Sequence, residues 1–537
     1  MKTCLPSGLA KGLVLLLGVT SILDLASGST SCVPGLVDLG YAKHIPSYVA
    51  TTSSGNNVTV YKNIRFAKPP IGNLRFRWPD TRVPKQEGIQ NGLRPDDRDT
   101  SCISSVPAQA PYPGINGTSW GHEDCLFLDV WIPQGVKPGD KVPVLHWSYG
   151  SGFAFGSKEI SASPIGLFGR MSNDKKFIFV VHNYRLGALG WTSVPGPETD
   201  SNVGMFDTLA AGEWISKYIG RFGGDQNRVT AIGQSAGAGM LSLLTTLRGG
   251  KGKLPFQQLF ISSPAVPPRS LTNRTRTRQL ERFQAVLSAA NCTNVECLRS
   301  IPEEVIFEAN RYLIIDVISP AGGGVLGPSL GFGPEPDGEL IPDMPEISFE
   351  KGRYHKDIKS LIVGNMGNEG MGLSHDTGMP GGFPDLVRQI LSTASNDTVS
   401  QIEELYTPYS DPAELAWDWT TDVIFARNCD NLANTFRNRT KRYIMTVPPA
   451  THGFDAFHYF YVNQLYTPVP NPDVAYELQR RLINFVHGNA EDWPTYGSGE
   501  SIFNITASGF ENEVLPANLK ERYDVVSAAL SDPANGV

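Results

Sequence analysis

Short apolar runs rich in β-branched residues, separated by stretches of helical periodicity, most restrict what this chain can fold into. They lie at residues 142–147, 177–182, 229–232, 259–262, 361–363 and 443–447. A strand with one wet face alternates apolar and polar residues, whereas these runs are apolar almost throughout, so both faces of each need cover. Their alternation with helical patterns predicts an α/β fold with a large, mostly parallel central sheet and helices on both faces. Between the second and third runs, Met205, Phe206, Leu209, Ala210, Trp214, Ile215, Tyr218 and Ile219 recur near the helical period, which predicts a helix with one buried stripe. Residues 264–342 are less regular, with a basic helix expected near residues 276–299 and then a Gly/Pro-rich loop, as in a sizeable insertion on the sheet. No repeat or low-complexity linker interrupts the chain, so residues 29–537 read as a single domain.

Residues 1–28 read differently. Lys2 and Lys11 precede an apolar stretch at residues 13–23, and Ala26, Ser27 and Gly28 follow it. That stretch is shorter than the about 20 residues a membrane span needs, and its flanks are those of a secretory signal. With no second apolar span and a polar C-terminus, "SAALSDPANGV", the expectation is a secreted, extracellular protein without an integral membrane span. Seven N-x-S/T sequons, at Asn57, Asn116, Asn273, Asn291, Asn396, Asn438 and Asn504, suit the same glycosylating route. Of seven cysteines, Cys4 would leave with the signal, and Cys32, Cys102, Cys125, Cys292, Cys297 and Cys429 remain. Cys292 and Cys297 are close enough to close a small loop and Cys102 with Cys125 a larger one, but spacing alone does not choose among the possible pairings. No C-x-x-C or clustered His/Cys set suggests a metal, and no cofactor is expected. A net charge of −7 without any basic run gives no footprint for nucleic acid.

In sheets of this kind ligands meet the carboxyl ends of the strands, so chemistry is sought just after each run. The pattern G-x-S-x-G occurs three times, around Ser119, Ser235 and Ser329. Only Ser235 stands between a strand run and a helical stretch, the setting of a nucleophile elbow. Ser119 adjoins the Asn116 sequon, and Ser329 lies among glycines and prolines that forbid a helix. After residue 147 comes "SYGSGF", a glycine-containing loop able to present backbone N–H groups. Glu369 follows the fifth run and His452 the sixth. Either alone is an ordinary loop residue, but together they complete the hydrolase order Ser, acid, His. Of the histidines beyond Glu369, His375 is too near the acid, His458 alternates within "FDAFHYFYV", and His487 lies in the helical pattern "YELQRRLINFVHG"; His452, on a Pro/Gly loop, is the best placed.

At this point the residues resemble the type-B carboxylesterases, which include cholinesterases and yeast-type lipases with the α/β-hydrolase fold. "FGGDQNRVTAIGQSAG", residues 222–237, is similar to their serine signature, and "EDCLFLDVWIP", residues 123–133, to their second; weaker echoes extend the likeness over residues 61–458. The resemblance implies Ser235 as nucleophile, Glu369 as acid and His452 as base, with Ser151, Gly152 and Ala236 supplying oxyanion-hole N–H groups. It also implies the disulfides Cys102–Cys125 and Cys292–Cys297. Gln234 stands where the family has Glu. Ser151 replaces a glycine, which puts a Cβ where the family backbone favours positive φ. Cys429 has no family-like partner near the C-terminus, where "ERYDVV" offers Tyr523, and is left free or joined to Cys32. The choline-site motif is missing from the 102–125 segment. The expected function is a secreted serine carboxylic ester hydrolase acting on small or medium esters through an acyl-enzyme. The rivals are an acyltransferase using the same triad and a non-catalytic cholinesterase-like binding protein, a fate in which the serine is typically lost.

Overall fold

A computed structural model of the chain describes residues 4–5, 31–108, 114–159, 163–194, 196–317, 331–374, 381–406, 411–462 and 468–537. All of the expected signal except Cys4–Leu5 lies outside them, as do His375 and Ser329. Eleven strands form one sheet: β1 (Tyr48–Thr51), β2 (Asn57–Arg65), β3 (Phe127–Pro133), β4 (Val142–Ser148), β5 (Ile178–His182), β6 (Gly224–Gln234), β7 (Gln258–Ser262), β8 (Ser360–Met366), β9 (Thr440–Met445), β10 (Ser501–Thr506) and β11 (Gly509–Val514). Their spatial order is β11-β10-β9-β8-β7-β6-β4-β5-β3-β2-β1. Every pairing from β5 across to β10 is parallel, and the pairings at the two flanks are antiparallel.

The six apolar runs coincide with β4 to β9, the second starting one residue before β5 and the sixth ending two residues past β9. Successive side chains of a strand point to opposite faces, and Leu361, Ile362 and Val363 are all fully buried, so helices cover both sides of β8. The strands not foreseen are those at the flanks. β11, with Glu511 and Asn512 in the open, has no continuous apolar run to announce it. Helix α1 (Val203–Tyr218) forms where expected, but residues 203–212 are buried on every side rather than along one stripe. The basic helix is broken in two, α2 (Asn273–Ala289) and α3 (Val295–Ser300); between them Asn291 takes a left-handed φ of 52°, and the Cys292–Cys297 disulfide spans the break. His458 sits on a short helix, Phe454–Tyr459, not on an alternating strand. Among the described residues no helix is long and apolar enough to cross a membrane.

Two histidines inside the sheet give the fold a pH dependence. His146 on β4 and His182 on β5 are buried, with His146 Nε2 2.9 Å from His182 Nδ1 and His182 Nε2 3.0 Å from Thr208 Oγ1. Burial pushes His146 down to about 3 and holds His182 well below the ordinary histidine range. The unfolded chain therefore binds protons that the folded chain refuses once the pH falls below about 6.5. Stability is complete above that value and is lost towards the depressed folded values, at up to about 1.4 kcal/mol per pH unit for each ring. Asp422, pushed up to about 6 by burial, acts in the opposite sense. The expected result is that His146→Gln flattens the dependence of unfolding free energy on pH between 6.5 and 5, read from urea denaturation; an unchanged slope contradicts it.

Candidate active site

β6 ends at Gln234, and the helix Ala236–Leu244 starts two residues later. Ser235 turns the chain between them with φ 55° and ψ −124°, a strained conformation for a residue with a Cβ. Two glycines make the turn possible. A Cβ on Gly233 would lie 2.7 Å from the Ala238 nitrogen, and one on Gly237 would lie 2.1 Å from the Ser148 carbonyl oxygen. The Ser235 N–H donates to the Ser262 carbonyl (3.0 Å), and its own carbonyl accepts from Gly239 (2.8 Å) and Ala265 (3.1 Å), which pins the residue from three sides.

The acid and base loops leave adjacent parallel strands and stay joined beyond them. Gly367 N–H donates to the Met445 carbonyl and Asn368 N–H to the Ala450 carbonyl, both at 2.9 Å. Glu369 is fully buried; its Oε1 accepts the Met366 N–H at 2.7 Å, which leaves Oε2 for His452 Nδ1 at 2.5 Å. His452 Nε2 lies 2.7 Å from Ser235 Oγ. The imidazole also packs on the Phe425 ring, with centroids 4.4 Å apart. Thr421, on the same π-helical turn Thr421–Ala426, accepts the Gly370 N–H at 3.0 Å and steadies the acid loop. No motif announced Thr421 or Phe425, because a π-helical turn has no distinct periodicity to read. Beneath His452, Asp455 accepts hydrogen bonds from the Tyr443 hydroxyl (2.6 Å) and the Ser262 hydroxyl, and burial pushes its carboxyl pKa up.

The loop after β4 lies against the serine, since a Cβ on Gly150 would come 2.7 Å from that of Ser235. The Tyr184 hydroxyl donates to the Tyr149 and Gly150 carbonyls, each at 2.9 Å. Ser151, Gly152 and Phe153 follow with φ of 81°, 59° and 63°. Ala236 opens its helix, so its N–H is among the first-turn donors that have no intrahelical acceptor. Ser151 thus holds the left-handed backbone that its Cβ opposes. Relief of that strain, about 1–2 kcal/mol, exceeds the added flexibility of an unfolded glycine, about 0.4–1 kcal/mol. Ser151→Gly is therefore expected to raise stability by roughly 0.5–1 kcal/mol, seen as a higher Tm; a lower Tm refutes this.

Cys102 is bonded to Cys125 and Cys292 to Cys297, while Cys429 is a free, buried thiol 3.2 Å from the Gly364 carbonyl oxygen. Ser119 lies on a two-residue strand, its hydroxyl 2.9 Å from that of Ser105, far in the chain from any helix start. Asn57, Asn116, Asn273, Asn291, Asn396 and Asn438 are exposed, whereas Asn504 is half-buried on β10, with its amide nitrogen donating to Glu513 at 3.1 Å. Among the described residues no cluster of three or more His, Cys, Asp or Glu is placed to hold a metal.

A mostly parallel sheet carrying Ser235, Glu369 and His452 just beyond the ends of three of its parallel strands has the α/β-hydrolase architecture. Comparisons with known proteins agree. Residues 47–447 match the model of the carboxylesterase family. The chain is 29% identical to carboxylesterase patB of Aspergillus clavatus over 88% of its own length and 91% of that protein. It is 31% identical to lipase 1 of Geotrichum candidum over 65% of its length and 66% of the lipase. The crystal structure of Aspergillus niger EstA superposes with a TM-score of 0.75 at 22% identity, covering 92% of this chain and 98% of that one. The chain belongs to the carboxylesterase family and is a carboxylic ester hydrolase.

Proposed function

We propose that residues 29–537, after loss of a secretory leader at 1–28, form a secreted serine hydrolase that cleaves small or medium carboxylic esters through a Ser235-His452-Glu369 triad and an acyl-enzyme. The observation that carries this reading is the unbroken chain of contacts, 2.7 Å from Ser235 Oγ to His452 Nε2 and 2.5 Å from Nδ1 to Glu369. The Glu369 carboxylate accepts a hydrogen bond from the Nδ1–H, which keeps that proton on Nδ1 and leaves Nε2 as the basic nitrogen facing the hydroxyl. As Oγ attacks the ester carbonyl, Nε2 receives its proton, and the buried carboxylate balances the imidazolium. The carbonyl oxygen becomes an oxyanion, met by the N–H groups of Ser151, Gly152 and Ala236, each worth about 2.7–4 kcal/mol if well aimed. Nε2 then protonates the departing alcohol, and water repeats the sequence on the acyl-enzyme.

Two disulfides and six exposed sequons support the extracellular assignment. A p-nitrophenyl ester should give a stoichiometric burst, with the acyl mass on the peptide containing Ser235; an acyl group mapped to another residue rejects the triad. The preference for smaller esters is supported by the 102–125 segment, whose ends are tied by the disulfide and by the pairing of Ser104–Ser105 with Ser119–Trp120, leaving little chain for a long lid. Activity should rise smoothly across the solubility limit of a short-chain triglyceride, and a jump at that limit counts against this preference.

A further inference from the structure

Among the described residues the His452 ring has three hydrogen-bonding neighbours, and the proposed triad accounts for two. The third is Gln234, whose Nε2 lies 3.3 Å from His452 Nε2. With the Nδ1–H donating to Glu369, the neutral ring offers only a lone pair at Nε2. An amide carbonyl facing that lone pair would be repelled, so the N–H end must face it, and Nε2 accepts from both the Ser235 hydroxyl and Gln234. The amide lies between two glycines. Its oxygen is turned towards Gly150, where a Cβ would come within 2.9 Å of it, and a Cβ on Gly453 would come 3.4 Å from its nitrogen.

We propose that Gln234 is a positioning residue that favours the neutral imidazole over the imidazolium in the resting site, and so keeps the base free at lower pH than a carboxylate in its place would. The proposal rests on the triad reading. Once Nε2 carries a proton, its N–H and the amide N–H point at each other, which disfavours the cation; a carboxylate at 3.3 Å would do the opposite. Among the described residues the other ionisable groups around the ring are Glu369 at Nδ1, Asp455 below it, and Cys429, Tyr443 and Tyr459 behind these carboxylates. All are unchanged by a substitution at 234, so a shift seen there reports on this contact.

The test is the pH dependence of kcat/KM for an uncharged p-nitrophenyl ester in the wild type, Gln234→Glu and Gln234→Met. The acid limb of Gln234→Glu is expected to move up by about one pH unit, because an opposite charge close to a half-buried imidazole favours its protonated form. Gln234→Met removes the donor without adding charge and should move the limb in the same direction by less. If the Glu variant fails to fold, the Met variant and an NMR titration of the His452 ring decide the matter. An acid limb and a ring titration that stay in place while Ser235→Ala abolishes turnover overturn the role of Gln234 alone. Turnover that survives Ser235→Ala overturns the triad instead, and this proposal with it.

Discussion

Replacing Ser235 by alanine is expected to lower kcat by roughly 10⁴–10⁶-fold while leaving the fold intact. The side chain is nearly buried and, among the described residues, its one side-chain hydrogen bond is to His452, so truncation leaves no new buried polar atom there beyond an imidazole nitrogen that Gln234 still reaches. The left-handed φ of 55° remains for alanine to bear, so stability should change little. What is lost is the attacking oxygen, and among the described residues no other hydroxyl lies within hydrogen-bonding distance of Nε2. Residual turnover would come from oxyanion donors acting on water, and the burst should vanish. Steady-state kinetics with a p-nitrophenyl ester, beside a denaturation curve, measure both; a folded variant retaining a tenth or more of the activity refutes the assignment.

Glu369→Gln should be nearly as damaging, about 10³–10⁴-fold in kcat, although the substitution keeps the shape of the side chain. The reason is local. The Met366 N–H donates to Oε1, so in the variant the amide oxygen is fixed there and the NH₂ group is left facing His452 Nδ1. Nδ1 must then accept, the ring proton moves to Nε2, and the nitrogen facing Ser235 is no longer a base. The KM for a neutral ester should change far less than kcat, since Glu369 has no exposed surface with which to touch substrate. A loss below about tenfold would indicate that the carboxylate does not set the tautomer.

Several parts of this site were legible as sequence because they depend on short stretches of chain. Buried parallel strands are apolar on both faces, so β4 to β9 stood out, whereas the polar edge strand β11 did not. The elbow at Ser235 could be told from Ser119 because a strand and a helix flank it, and His452 from His458 and His487 by its position after a strand. The break in the basic helix was not legible: the left-handed turn at Asn291 and the disulfide across it interrupt an otherwise continuous pattern. Gln234 showed only as a departure from a motif; its contact with His452 joins residues 218 apart in sequence.

The order of Ser235, Glu369 and His452 along the chain, and their places at the ends of buried strands, follow from the amino-acid sequence alone, because strand runs and turns are set by neighbouring residues. The register of β8 against β9, the bonds joining the Asn368 and Ala450 loops, and the π-helical turn that lays Phe425 against the imidazole were decided only by tertiary packing. Distances of 2.5 and 2.7 Å depend on how distant strands stack and twist, and a sequence pattern has no measure of that separation until the core closes around it.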